Sequence, residues 1–344
     1  MYNKSKINGY YVFGKNNGEL VREQLDKLEY HRYDVLPVGG VKFNWITRHS
    51  DINWTRFDGN FQILNHIYNE NQLSNKSLLF QNLRNCFKEK NVLKTFLPQT
   101  YLLDNPIDRI NFRKVFQNNS LWICKPVGLS CGKEIFLFRS EEQLENLLKE
   151  YHQNKHYSTI YSNRLVQKYI SNPLLINQQK FDIRTYFLCI CLSNEILYFA
   201  CQTGYLRLSM YEFNLDNLNK FIHLTNQTIQ NKDEKFAMKK DSTGMTMEEF
   251  NDYFNEFIQP NMLNIDKDWK EITNILYQVA YSVRNQLISQ EGCFGYYGVD
   301  ILIDENLKCW LLEINSGPTL DMTNKALEKV IPICLNEAIR MNFI

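Results

Sequence analysis

The sequence predicts a mixed α/β (α+β) protein of two or three packed lobes, and three observations carry that prediction. Strand-like and helical patterns interleave along the whole chain with no internal repeat. The 344 residues are more than one small core organises. The 22 Phe and 20 Tyr supply enough apolar surface for a large core. The expected division is an N-terminal α/β lobe at 1–90, a central lobe at 91–175 and a C-terminal lobe at 176–344.

In the first lobe, Tyr10-Tyr11-Val12-Phe13 and Lys42-Phe43-Asn44-Trp45-Ile46 read as strands. Residues 18–28 have helical spacing through Leu20, Val21, Leu25 and Leu28. Residues 61–66 read as irregular, and 77–88 as a helix with Ser77 at its N-cap. Trp45 and Trp54 are expected in the packing. His49 and His66 lack metal-ligand spacing. Pro98 marks a junction, and residues 108–116 a short helix.

The central lobe then offers a strand at 121–126, a loop at 127–134 and a strand at 135–138. Ser140 with Gln143 is a capping box, and Leu144, Leu147, Leu148 and Tyr151 form the apolar stripe of the helix it opens. Residues 165–170 form a further strand. In the third lobe, 181–192 and 196–203 read as adjacent strands joined at Ser193-Asn194-Glu195. A second capping box, Thr246 with Glu249, opens a helix, and a longer helix covers 269–287. The terminal helix, 323–341, contains Pro332 and is expected to kink or split there.

Composition limits the partners. Apolar residues make up 44% and charged residues 22%, ordinary for a globular protein. A net charge of +1 gives no global sign of nucleic acid or of an anionic membrane. No run reaches the ~18 apolar residues of a membrane span, and the first residues form no long apolar segment, which fits the cytoplasm. The nine cysteines include no C-x-x-C pair, and several lie in apolar runs, as buried reduced thiols do. A monomer is expected.

Four stretches can carry chemistry. In 298–318, Asp300 interrupts one apolar strand and Glu313 and Asn315 share a face of the next. If the hairpin pairs Asp300 near them, three oxygen-bearing side chains converge, a set suited to a hard cation such as Mg²⁺. Lys125 closes a strand before the loop that holds Gly128 and Gly132; this is either a phosphate cradle or a plain hairpin with an exposed lysine. Alternation puts Lys180, Asp182 and Arg184 on one strand face, as a solvated charge ladder or a polyphosphate-facing surface. Arg207 adds a cation after the neighbouring strand, and His223-Leu224-Thr225-Asn226 reads as a turn with short polar groups.

The order of these stretches resembles the ATP-grasp fold of the tubulin tyrosine ligase-like family. The motifs are Trp122-Ile123-Cys124-Lys125-Pro126, Val166-Gln167-Lys168-Tyr169-Ile170 with Asn172-Pro173, Lys180-Phe181-Asp182-Ile183-Arg184, His223-Leu224-Thr225-Asn226 and Leu312-Glu313-Ile314-Asn315. The likeness covers roughly 75–340, and Tyr11-Val12-Phe13-Gly14 with 57–84 is similar to the polyglycylase branch. The resemblance implies nucleotide bound between two β-layers and an ATP- and Mg²⁺-dependent ligase. That ligase would add an amino acid, with glycine expected, to tubulin or another protein, and would sit at the cytoskeleton, with cilium or axoneme as candidate places.

By the same resemblance, Lys125, Gly132, Gln167, Lys168, Lys180, Asp182, Thr225 and Asn226 meet the nucleotide. Asp300, Glu313 and Asn315 hold the metal, and Arg184 and Arg207 serve catalysis. The alternatives are glutamate or tyrosine transfer, an impaired ligase that docks on microtubules, or ligation of a small metabolite. One departure stands out: Glu134 occupies a position where the family usually has glycine. A carboxylate there would repel a triphosphate, and its Cβ disfavours positive φ.

Overall fold

A computed structural model describes residues 7–14, 18–87, 90–129, 132–153, 163–257 and 265–343. Its class is the expected mixture of strands and helices, arranged around three sheets. The first sheet holds β1 (Ile7–Phe13), β2 (His31–Tyr33), β3 (Val41–Ile46) and β4 (Ile63–Leu64), all in parallel pairs in the order β2-β1-β3-β4. Residues 61–66, read as irregular, therefore contribute a two-residue edge strand. Its Leu64 bridges to Cys293, the residue before the strand Phe294–Ile303.

The second sheet holds β5 (Thr100–Leu102), β6 (Trp122–Pro126), β7 (Phe136–Phe138) and β8 (Arg164–Lys168), in the order β5-β8-β6-β7 with antiparallel pairs. One face packs Phe112, Phe138, Leu144 and Leu147 around Trp122. The other presents Ile123, Leu137 and Tyr169 to Leu224 and Ile229.

The third sheet, the largest, holds β9 (Leu175–Ile176), β10 (Gln179–Cys191), β11 (Ile196–Glu212), β12 (Gly244–Thr246), β13 (Phe294–Ile303) and β14 (Cys309–Ser316). Its order is β12-β11-β10-β13-β14, with β9 beside β10. Period-two alternation sorts β10 cleanly. Phe181, Ile183, Phe187 and Cys189 enter a core shared with the helices 76–86, 247–257 and 265–283. Tyr186 and Leu188 face the opposite way, into a second core with the first sheet and the terminal helix.

Three local expectations differ from the structure. Asn75, not Ser77, caps the helix Lys76–Cys86: its side chain accepts from the amides of Ser77 and Leu78 at 3.0 and 3.1 Å. β11 runs to Glu212 rather than 203, because its far half pairs with both β10 and β12. The terminal helix, Lys325–Met341, does not split at Pro332 but runs through it as one helix. Leu327, Val330, Ile331, Cys334 and Leu335 are buried on either side of the proline, so packing holds the helix despite the missing donor. Both capping boxes form: Ser140 with Gln143, and Thr246 with Glu249. Among the described residues no helix is long and apolar enough to cross a membrane.

Candidate active site

A cleft of about 630 Å³ separates the second and third sheets. Its lining includes Lys125, Gln167 and Lys168 from one side and Lys180, Asp182, Asp300 and Glu313 from the other. Thr225 and Asn226 close one end. Apolar Ile123, Ile135, Ile170, Leu224, Leu302 and Leu312 fill the intervals. The lining is apolar with a few placed cations and carboxylates, the make-up of a small-molecule site.

Strand register builds the charged wall. Asp182 on β10 pairs with Arg207 on β11, Arg184 on β10 with Asp300 on β13, and Asp300 with Glu313 on β14. Arg207 holds Asp182 through two bonds of 2.7 and 2.6 Å and reaches Asp300 at 2.8 Å. Arg184 Nε lies 2.5 Å from Asp300 Oδ1, and the Thr225 hydroxyl donates to Asp182 at 2.5 Å. All four charged groups are buried. Burial raises the Asp300 carboxyl above its usual range, against the pull of the two arginines.

Glu313 and Asn315 reach the same face through a β-bulge. The pairing steps from Asp300 with Glu313 to Ile301 with Leu311, which leaves Leu312 as the extra residue. Below the bulge Leu311 points into the core; above it Glu313 points into the cleft. Asn315 donates to Glu313 at 3.1 Å. Burial alone would raise the Glu313 carboxyl, but the ammonium groups of Lys76 and Lys125 hold it well below the carboxylate range.

The lysines come from both walls, Lys125 from β6 and Lys180 from β10. Lys125 Nζ donates to Gln167 Oε1 at 2.8 Å, and Gln167 in turn donates to the Thr100 hydroxyl. Lys180 Nζ donates to the Tyr169 hydroxyl at 3.0 Å and to the His223 carbonyl at 2.9 Å. Burial lowers Lys125 to about 8 and Lys180 to about 7. Burial also lowers His223 to about 4, so its ring is neutral between the Tyr169 hydroxyl and the Asn217 carbonyl. The Lys168 ammonium sits 5.1 Å from the Trp122 ring centroid, away from the charged cluster.

Beside the lysines, the loop after β6 ends in two left-handed residues. Gly132 has φ +66°, and a Cβ there would lie 2.0 Å from Ile229 Cδ1. Glu134 takes φ +55° in spite of its side chain, and its carboxylate is 2.7 Å from Arg164 Nη2. Ser130 and Cys131 of this loop lie outside the described residues.

Two groups in the site escape the sequence patterns. Lys76, at the start of its helix, places Nζ 3.3 Å from Glu313 Oε2 and donates to the Leu129 carbonyl at 3.1 Å. Only its place one residue after a capping Asn hints at a fixed position. The Tyr169 hydroxyl is the other; its position in a strand motif gives no sign that it meets Lys180. Among the described residues no group of three or more His, Cys, Asp or Glu side chains could hold a metal. Two carboxylates and one amide oxygen remain, all hard donors, and these suit an Mg²⁺ ion that takes its other ligands from phosphates and water.

The profile of the tubulin-tyrosine ligase family matches residues 55–344. The chain is 32% identical over 350 residues to protein polyglycylase TTLL10 of Rattus norvegicus, covering 94% of this chain and 51% of that protein. It is 34% identical over 253 residues to the inactive polyglycylase TTLL10 of Homo sapiens, covering 70% and 37%. It is 33% identical over 285 residues to the probable alpha-tubulin polyglutamylase Ttll1 of Tetrahymena thermophila, covering 77% and 68%. The chain thus spans about half the length of the polyglycylases it matches.

Proposed function

The chain belongs to the tubulin-tyrosine ligase family, whose fold is of the ATP-grasp type, and we propose that it is an ATP-dependent ligase that attaches glycine to carboxylates of tubulin. The observation that carries this reading is the cleft: buried Lys125 on one sheet faces buried Lys180, Asp182 and Asp300 on the other across an apolar lining. The polyglycylase relatives favour glycine, and cytoskeletal tubulin is the natural acceptor for a member of this family. In this reading the two division points of the chain, near 90 and 175, are the borders of lobes that close around nucleotide.

The chemistry starts from a poor electrophile. A carboxylate must be activated before an amine attacks it. An acceptor carboxylate oxygen bonds to the γ-phosphorus of ATP, ADP leaves, and an acyl phosphate results. The amine of glycine then attacks the acyl carbon, phosphate leaves with the bridging oxygen, and the amine sheds a proton. Gln167 and the backbone of Lys168 meet the adenine edge. Lys125 and Lys180 hold phosphate oxygens, with Gly132, Thr225 and Asn226 shaping the loop and turn around them. Asp300, Glu313 and Asn315 would hold an Mg²⁺ ion, which would supply charge neutralisation for the transferring phosphoryl group. Arg184 and Arg207, buried beside those carboxylates, stabilise charge on the acyl phosphate.

The test is incubation with tubulin, Mg-ATP and radiolabelled glycine, glutamate or tyrosine in turn. Glycine incorporation is expected, and Glu313→Gln is expected to lower it by ~10²–10³. Labelling by glutamate or tyrosine alone would reassign the amino acid. No labelling by folded protein favours a second reading, a non-catalytic microtubule-binding module. The inactive human relative and the glutamate at position 134 motivate that reading.

A further inference from the structure

Glu134 poses a problem that its neighbours resolve. Position 134 closes the loop 127–134, and the next residue, Ile135, already lines the cleft. A carboxylate at this point would meet the triphosphate, and the left-handed backbone strains any residue with a Cβ. The start of β8 answers both difficulties. Arg164 Nη2 binds the Glu134 carboxylate at 2.7 Å, and Arg164 Nη1 binds the Glu134 carbonyl at 3.1 Å. One guanidinium therefore fixes both the side chain and the backbone of the strained residue. Its own position is set by the Phe136 ring, 5.9 Å from its centre, and by the pairing of Arg164 with Pro126. At the other end of the loop, the Val127 amide donates to the Asn163 carbonyl at 2.9 Å. Residues 163 and 164 thus hold both ends of the loop.

We propose that Arg164 is a positioning residue for the nucleotide, which clasps the neck of the phosphate loop and turns the Glu134 carboxylate away from the triphosphate. The inference rests on the reading of the cleft as an ATP site. It explains how a glutamate is accommodated beside polyphosphate: the charge is neutralised and directed toward solvent, where 58% of the side chain is exposed. It also separates Arg164 from the lysines. Lys125 and Lys180 attract ATP directly, whereas Arg164 matters only because Glu134 is there.

That dependence defines the test: steady-state kinetics and calorimetric ATP titration on wild type, Arg164→Ala, Glu134→Gly and the double variant. Arg164→Ala frees the carboxylate and is expected to raise the KM for ATP roughly three- to tenfold, with kcat nearly unchanged. Glu134→Gly alone is expected to leave KM at or below the wild-type value. The double variant, which removes the problem with its remedy, is expected to return to wild-type affinity. A double variant as weak as Arg164→Ala would overturn the proposal, since Arg164 would then act on the phosphates or on the fold directly. An Arg164→Ala protein with unchanged KM would overturn it as well. Wild-type protein that binds no ATP would instead remove the reading on which the clasp rests, and the clasp with it.

Discussion

Lys180 shows how function strains a fold. Its ammonium is buried, its charge partner Asp182 is already committed to Arg207 and Thr225, and burial brings its pKa down to about 7. The unfolded chain keeps this proton up to about 10.5, so between those values it binds more protons than the folded chain. Stability therefore rises with pH across that window, and the cost of burial is full below it. We predict that Lys180→Met stabilises the nucleotide-free protein at pH 6.5 in thermal unfolding, flattens the rise with pH, and sharply weakens ATP binding. A variant less stable than wild type at pH 6.5 would make Lys180 a structural tie instead. Glu134 is the opposite case: about 1–2 kcal/mol of left-handed strain is offset in part by a half-exposed ion pair, worth at most ~1 kcal/mol. The common face of Lys180, Asp182 and Arg184 was legible, because strand alternation needs no tertiary knowledge. The Arg164 clasp was not: the two residues are 30 apart and meet only when β6 and β8 pair.

Among the elements, the hairpin of β13 and β14 decides the site. Alternation within each strand puts Glu313 and Asn315 together, as the sequence indicates. Their union with Asp300 depends on the bulge at Leu312, which switches the parity of β14 between core and cleft. No residue type in Trp310-Leu311-Leu312-Glu313 announces that switch. The helix 76–86 is the second decisive element, since it carries Lys76 to Glu313. Its cap was misread because Asn75 and Ser77 are both good capping residues, and the backbone at Asn75, extended at φ −81° and ψ 123°, settles the choice. Asn75→Ala is expected to cost about 1 kcal/mol in urea unfolding, and Asn75→Asp to cost little. Equal losses in both would contradict the capping role.

Across the molecule, the three sheets share no continuous ladder and are joined by side-chain packing and by the isolated main-chain bridge from Leu64 to Cys293. Leu224 and Ile229 from the third lobe pack on Ile123, Leu137 and Tyr169 of the second sheet and seal one end of the cleft. Arg84 in the first lobe binds Asp108 in the second through two bonds of 2.8 Å. The mixed α/β class was legible because interleaved periodicities survive any arrangement of lobes. How the lobes meet was not, since packing between sheets leaves no period in the chain. The joint product is a cleft lined by buried lysines and carboxylates, with Arg184 and Arg207 paired to Asp182 and Asp300, and the central claim is that it activates a carboxylate by phosphorylation. That claim is tested most directly with an acceptor peptide carrying ¹⁸O in its glutamate carboxylates, incubated with the protein, Mg-ATP and glycine. Passage through an acyl phosphate predicts that ¹⁸O appears in the phosphate released with each amide bond formed. Glycine incorporation accompanied by unlabelled phosphate would contradict it.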